Sequence, residues 1–145
     1  MSGAAIPNNV RFGTGVWRAL RMRCPRCGNR RTFIRRWLGK YPRCRTCGIP
    51  WRREEGFELG PLALNTVITF FVLAVAMAVG FVITYPDVPI LPMILWCGLI
   101  ALLLPLIAYP FTFLIWLAFD LAVHPPEAEE VAGAAAAVAD GTTEG

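Results

Sequence analysis

The amino-acid sequence reads as a membrane protein in two parts. A small head of short antiparallel β hairpins comes first, and a two-helix transmembrane hairpin follows. Three features point there. Hydrophobic residues make up 56% of the 145-residue chain, above the roughly 45–50% of ordinary soluble domains. Charge is split rather than spread: all 14 basic residues lie between Arg11 and Arg53, and the only charged residue between Glu58 and Asp120 is Asp87. Two CxxCG pairs, "CPRCG" at 24–28 and "CRTCG" at 44–48, bracket an arginine-rich stretch of the basic half. Fourteen bases against three acids give residues 1–58 a charge of +11, and seven acids with no base give residues 59–145 a charge of −7. A chain divided in this way suits two solvents, water and lipid.

Residues 1–17 hold Gly3, Pro7, Gly13 and Gly15 with paired Asn8 and Asn9, and read as a flexible leader. The first twenty residues contain no apolar h-region, so the first apolar helix is expected to act as its own insertion signal. Residues 18–55 form the cysteine head. Residues 56–61 are a linker with Gly56, Gly60 and Pro61, and Pro61 suits a first helical turn, where its missing N–H costs nothing.

Residues 62–85 carry no charge and form the first transmembrane helix. At about 1.5 Å per residue they reach roughly 36 Å, enough to cross a hydrocarbon layer of about 30 Å with some tilt. Asn65, Thr66 and Thr69 lie in its first turns and are expected near the headgroups or bonded back to the helix backbone. "PDVP" at 86–89 is a tight external loop. Residues 90–119 form the second transmembrane helix, kinked near 105–110 because Pro105 and Pro110 each remove a backbone hydrogen bond. Trp96 and Trp116 are spaced to mark its two interfaces. Ala76 and Gly80 form a small-xxx-small pair for helix packing, or are ordinary small residues of a span. Residues 120–145 are acidic and then alanine-rich, and read as a disordered cytoplasmic tail, because so short an isolated helix is marginal in water.

Positive charge sets the orientation. Lys and Arg crowd the N-terminal side and are absent from 86–89, which puts both termini in the cytoplasm of a multi-pass protein of the bacterial cell (plasma) membrane.

Cys24, Cys27, Cys44 and Cys47 are the candidate metal ligands. The sixteen residues between the pairs match the spacing of a structural four-cysteine zinc site. Two thiolates on one tight turn can face one ion, and two such turns complete a tetrahedron. Gly28 and Gly48 permit the positive φ that turns backbone N–H groups toward sulfur. Other readings of the same thiols are two disulfides, which need an oxidising compartment, a dithiol redox centre, or an iron site of similar geometry. Four cysteine ligands close the shell, so the zinc is structural and supplies folding free energy to a head too small to fold alone. Phe33, Ile34, Trp37 and Leu38 are expected to pack over the metal. Losing any one cysteine is expected to unfold the head. Cys97, alone in the second span, reads as a small buried hydrophobe.

The thirteen arginines and Lys40 admit three partners. Anionic lipid headgroups are the first, together with the topology signal itself. An acidic protein surface is the second. Nucleic acid, stacked on Phe33, Trp37, Tyr41 and Trp51, is the third. A linker of about six residues ties the head within roughly 20 Å of the bilayer, which favours lipid.

With "RCPRCG" at 23–28, "PRCRTCG" at 42–48 and "YPFTFLIWLAFDL" at 109–121, the chain resembles the bacterial family known as domain of unknown function 983, over roughly residues 20–122. The resemblance implies a zinc-ribbon-like head on a two-helix membrane protein and implies no activity. Many members carry basic residues after the second span, where this chain has none.

No constellation in the sequence suits an enzyme. His124 is the single histidine, no hydroxyl nucleophile has a visible base, and no glycine-rich phosphate loop occurs. The expected role is non-catalytic: a binding or assembly accessory factor whose zinc ribbon docks a protein partner at the membrane surface. The alternatives are a membrane-tethered nucleic-acid-binding ribbon and a thiol redox or metal sensor.

Overall fold

The structure is a computed structural model that describes residues 10–30, 34–36, 39–53 and 55–141. Its elements in chain order are α1 (Phe12–Leu20), β1 (Ile34–Arg36), β2 (Gly39–Lys40), α2 (Leu59–Thr84), α3 (Ile90–Val123) and α4 (Ala128–Ala139).

The two long helices form an antiparallel pair, and both are long and apolar enough to cross a membrane. Pro61 sits in the first turn of α2, where an N–H has no helical partner to lose. Outward-facing side chains of the pair are large and apolar: Val67, Phe70, Val82, Ile90 and Leu91 are each at least 65% exposed. Thr66 and Thr69 donate to the carbonyls of Leu62 and Asn65, four residues back, at 2.9 and 2.8 Å. Asn65 departs from that pattern. It is buried, and its Nδ2 donates across to the Pro105 carbonyl of α3 at 3.0 Å. α3 runs unbroken through Pro105 and Pro110.

At 34 residues, α3 measures about 51 Å, well beyond a hydrocarbon layer of about 30 Å. The surplus has a use. Thr112, Phe113, Leu114, Leu117, Ala118 and Leu121, on its last three turns, are buried inside the head. Phe113, Leu114, Leu117 and Leu121 of this set pack with Ala19, Cys24, Cys44, Cys47, Ile49, Trp51 and Phe57 in one core. The head is therefore not a separate module on a tether. The end of α3 supplies much of its apolar interior, which a forty-residue segment alone lacks.

Three boundaries expected from sequence are corrected. Within the leader assigned to 1–17, residues from Phe12 onward form α1, while 1–9 lie outside the described residues. α1 is held by packing rather than propensity: Gly15 lies so close to α3 that an added Cβ would meet the Ala118 Cβ at 3.0 Å, and Phe12 meets Phe119 edge-on at 6.1 Å. The linker at 56–61 is pinned, since Phe57 is buried against the Phe113 ring at 5.6 Å and α2 begins at Leu59. The tail at 120–145 contains the last turn of α3 and the whole of α4. An isolated alanine helix is marginal, but tertiary contacts to the head hold this one.

Strand structure among the described residues is slight. β1 and β2 pair antiparallel, Ile34 opposite Lys40 and Arg36 opposite Gly39. Isolated bridges join Arg23 to Arg30 and Arg43 to Pro50. The packing expected of Phe33, Ile34, Trp37 and Leu38 over the metal lies outside the described side chains.

Candidate metal centre

Each CxxCG segment folds into the same tight loop. In the first, Gly28 N–H donates to the Cys24 carbonyl at 2.8 Å and Cys24 N–H donates to the Asn29 carbonyl at 3.1 Å. In the second, the Gly48 N–H to Cys44 carbonyl bond is 2.8 Å and the Cys44 N–H to Ile49 carbonyl bond is 2.9 Å. Gly28 at φ +74° and Gly48 at φ +69° occupy the left-handed region that closes these loops. Asn29 Nδ2 donates to Thr46 Oγ1 at 2.9 Å and ties one loop to the other.

The loops bring the four thiols together. Cys24 Sγ lies 3.8 Å from Cys47 Sγ, Cys27 Sγ lies 3.8 Å from Cys44 Sγ, and all four sulfurs fall within 4.8 Å of one another. Metal–sulfur bonds of about 2.3 Å in a tetrahedron require S···S edges of about 3.8 Å. The spacing is that of a four-sulfur metal shell. All five cysteines are free thiols, and 3.8 Å is far beyond a disulfide bond. Among the described residues this is the one cluster of His, Cys, Asp or Glu arranged to hold a metal ion. Cys97 lies apart on α3, and His124 Nδ1 instead sits 3.5 Å from Asp120 Oδ1.

Electrostatics agree with a cation site. Hydrogen bonds with Cys27, Cys44 and Cys47, and then burial, push the Cys24 thiol up. Hydrogen bonds from Cys24, Cys27 and Cys47 hold the Cys44 thiol far down. Without a cation, the cluster can keep a thiolate only by surrounding it with protonated neighbours. A divalent metal is what allows all four to ionise at once.

Side-chain contacts invisible in the sequence, some local and some long-range, brace the site. Arg18 of α1 donates through Nη1 to the Pro25 and Arg26 carbonyls at 3.0 and 2.9 Å, fixing the first loop. Arg43 Nη1 donates to the Gly48 carbonyl at 3.4 Å in the second. Arg53 is the hub: Nη1 reaches Asp120 Oδ2 at 2.6 Å and the His124 carbonyl at 2.7 Å, while Nε and Nη2 hold Glu130 in a two-pronged pair at 2.9 Å each. Burial opposes the Arg53 charge, but Glu130 and Asp120 more than offset it, and its pKa is raised. α4 then lies along the second loop, leaving a groove of about 350 Å³ lined by Arg26, Thr46, Cys47, Val131, Ala135 and Val138. The segregation of bases and acids into opposite halves of the chain was the one sequence signal that these pairings exist. It did not say which residues pair.

The model of the family described as "Protein of unknown function (DUF983)" matches residues 34–118, more than half of the chain. The chain belongs to that family. No curated protein and no solved structure matches it.

Proposed function

Starting from that family membership, we propose that the protein is an integral membrane protein whose four cysteines bind a structural zinc ion in a cytoplasmic ribbon, and that it acts as a non-catalytic accessory or assembly factor docking a protein partner at the membrane surface. One observation carries the reading: a complete four-thiol shell is built directly onto the end of a helix long and apolar enough to span a bilayer. A closed shell leaves no coordination position for substrate, so the ion's work is to hold shape. Zinc suits it because it is the usual metal of closed four-cysteine sites. The exposed apolar bands of α2 and α3 have lipid as their natural solvent. By the positive-inside rule, the fourteen basic residues on the head side support a head on the cytoplasmic face of the plasma membrane, with 86–89 outside.

The arginines weigh toward a structural role rather than nucleic-acid binding. Arg18 and Arg43 donate to backbone carbonyls, Arg52 pairs with Glu58 at 2.7 Å, Arg53 is spent on two carboxylates, and Arg26 is buried. Fewer remain to meet phosphates than the sequence count suggests.

The test is purification of tagged full-length protein from native membranes in mild detergent, with and without nuclease, with metal analysis of the product. One zinc per chain and a stoichiometric protein partner that survives nuclease are expected. Partners lost on nuclease treatment would favour the nucleic-acid ribbon. A metal that leaves readily, with a Cys24–Cys27 disulfide formed in its place, would favour the redox sensor.

A further inference from the structure

We propose that α1 is an interfacial helix: its uncovered apolar side lies in the acyl–headgroup boundary, and Arg11 and Arg21 bind phosphates of anionic lipid. The proposal rests on the membrane-spanning reading above and adds which surface meets the lipid.

The apolar arc of α1 is wider than its contact with α3 needs. Gly15 and Ala19 are the buried edge; Gly15 packs against Ala118 and Ala19 joins the head core. At helical spacing, Val16, Leu20, Gly13 and Trp17 continue the arc around the helix. Phe12, Trp17 and Leu20 stay 50%, 57% and 50% exposed despite the contact of Phe12 with Phe119. Thr14, Arg18 and Arg21 form the opposite, polar side. Large apolar groups in so short a helix need a covering phase.

The level of α1 along α3 identifies that phase. Gly60 of α2 lies against the Trp116 ring of α3, so both long helices leave their uncovered apolar zone together. Phe119, the α3 contact of Phe12, is three residues beyond Trp116, about 4.5 Å further along the helix. The polar layer of a bilayer is roughly 5–8 Å deep on each side, so α1 falls inside it. Phe119 is itself 43% exposed and joins the α1 face to the apolar band of the hairpin. Charge fits as well. Arg11 and Arg21 flank the helix, exposed and unpaired with any described carboxylate, and the Arg21 guanidinium lies 4.3 Å from the Trp17 ring centroid. A tryptophan capped by an arginine is amphipathic in the sense the interface favours.

The experiment places a photoreactive benzoylphenylalanine at position 17, 20, 14 or 70 of the full-length, metal-loaded protein in nanodiscs of phosphatidylcholine with or without phosphatidylglycerol. Position 70, on the exposed face of α2, reports the span itself. Lipid adducts are expected at 70, 17 and 20 and to be several-fold scarcer at 14. Enrichment of phosphatidylglycerol in the position-17 adducts should fall about fivefold for each of Arg11→Gln and Arg21→Gln, as expected for about 1 kcal/mol per basic residue. No lipid adduct at 70 would sink the spanning reading on which the proposal stands. Adducts at 70 but no excess of 17 and 20 over 14, or crosslinks from 17 to protein, would overturn the interfacial helix alone.

Discussion

Gly48, which closes the second cysteine loop, lies directly beneath Ala134 of α4. The approach is so close that a Cβ on Gly48 would collide with the Ala134 carbonyl. The metal loop and the tail helix thus share a surface with no room for one extra carbon. Gly48→Ala should release α4 and strain the loop, because its φ of +69° is left-handed; that strain alone is about 1–2 kcal/mol. Hydrogen exchange across residues 128–139 should rise sharply in the variant. Gly133→Ala is the control. Nothing lies within 4 Å of its would-be Cβ, so that variant should stabilise α4 by roughly 0.5–1 kcal/mol.

Arg53 fastens three segments with one side chain, and its carboxylate partners are mostly shielded from water: the Arg53, Asp120 and Glu130 side chains are 10%, 14% and 24% exposed. Arg53→Met should cost about 2–3 kcal/mol, the scale of charge-assisted hydrogen bonds lost with their acceptors left behind. Equilibrium unfolding of the head in detergent would measure it. The loss should change little with salt, whereas removing the exposed Arg52–Glu58 pair should cost less than about 1 kcal/mol.

Metal affinity should rise with pH. The ion requires four thiolates, and in the metal-free cluster the Cys24 thiol is held protonated by its neighbours. Loading must therefore expel protons. Calorimetry in buffers of different ionisation enthalpy should show that release at neutral pH. Acidification should reprotonate the ligands and eject the metal, and the stability the metal confers should go with it. Proton-independent loading would show that the four thiols are not the ligands.

Cys24→Ser should abolish stoichiometric metal. Cys24 is buried in the core that also holds Trp51 and Leu117, so the head should loosen while the long helices remain. Metal content per chain, together with far-UV circular dichroism that stays largely helical, checks both halves. Cys97→Ser should change neither, because Cys97 lies outside the cluster.

Asn65 is the polar link between the two long helices. Asn65→Leu removes its bond to the Pro105 carbonyl, which should weaken the pairing of α2 and α3 by about 0.6 kcal/mol and by no more than about 1.7, the average and the maximum for such bonds between membrane helices. Unfolding of the reconstituted protein would read the change.

Local chemistry wrote the legible part of this protein. A CxxCG loop needs only its own five residues to turn two sulfurs the same way, so the metal cluster is visible in one dimension. An uncharged run of helical length is equally visible, because hydropathy is a sum over neighbours. The remainder depends on contacts between distant residues. That the last turns of α3 leave the exposed apolar zone and become the head's interior is invisible in "YPFTFLIWLAFDL", where residues of an exposed apolar band and residues facing a protein core are chemically alike. Whether the alanine-rich tail folds turns on Arg53 and Gly48, some 80 residues upstream of their partners. Composition alone returns a marginal helix there. Close approach and charge pairing, which exist only once the chain has folded back on itself, decide that α1, α4 and the end of α3 enclose the metal loops as one body.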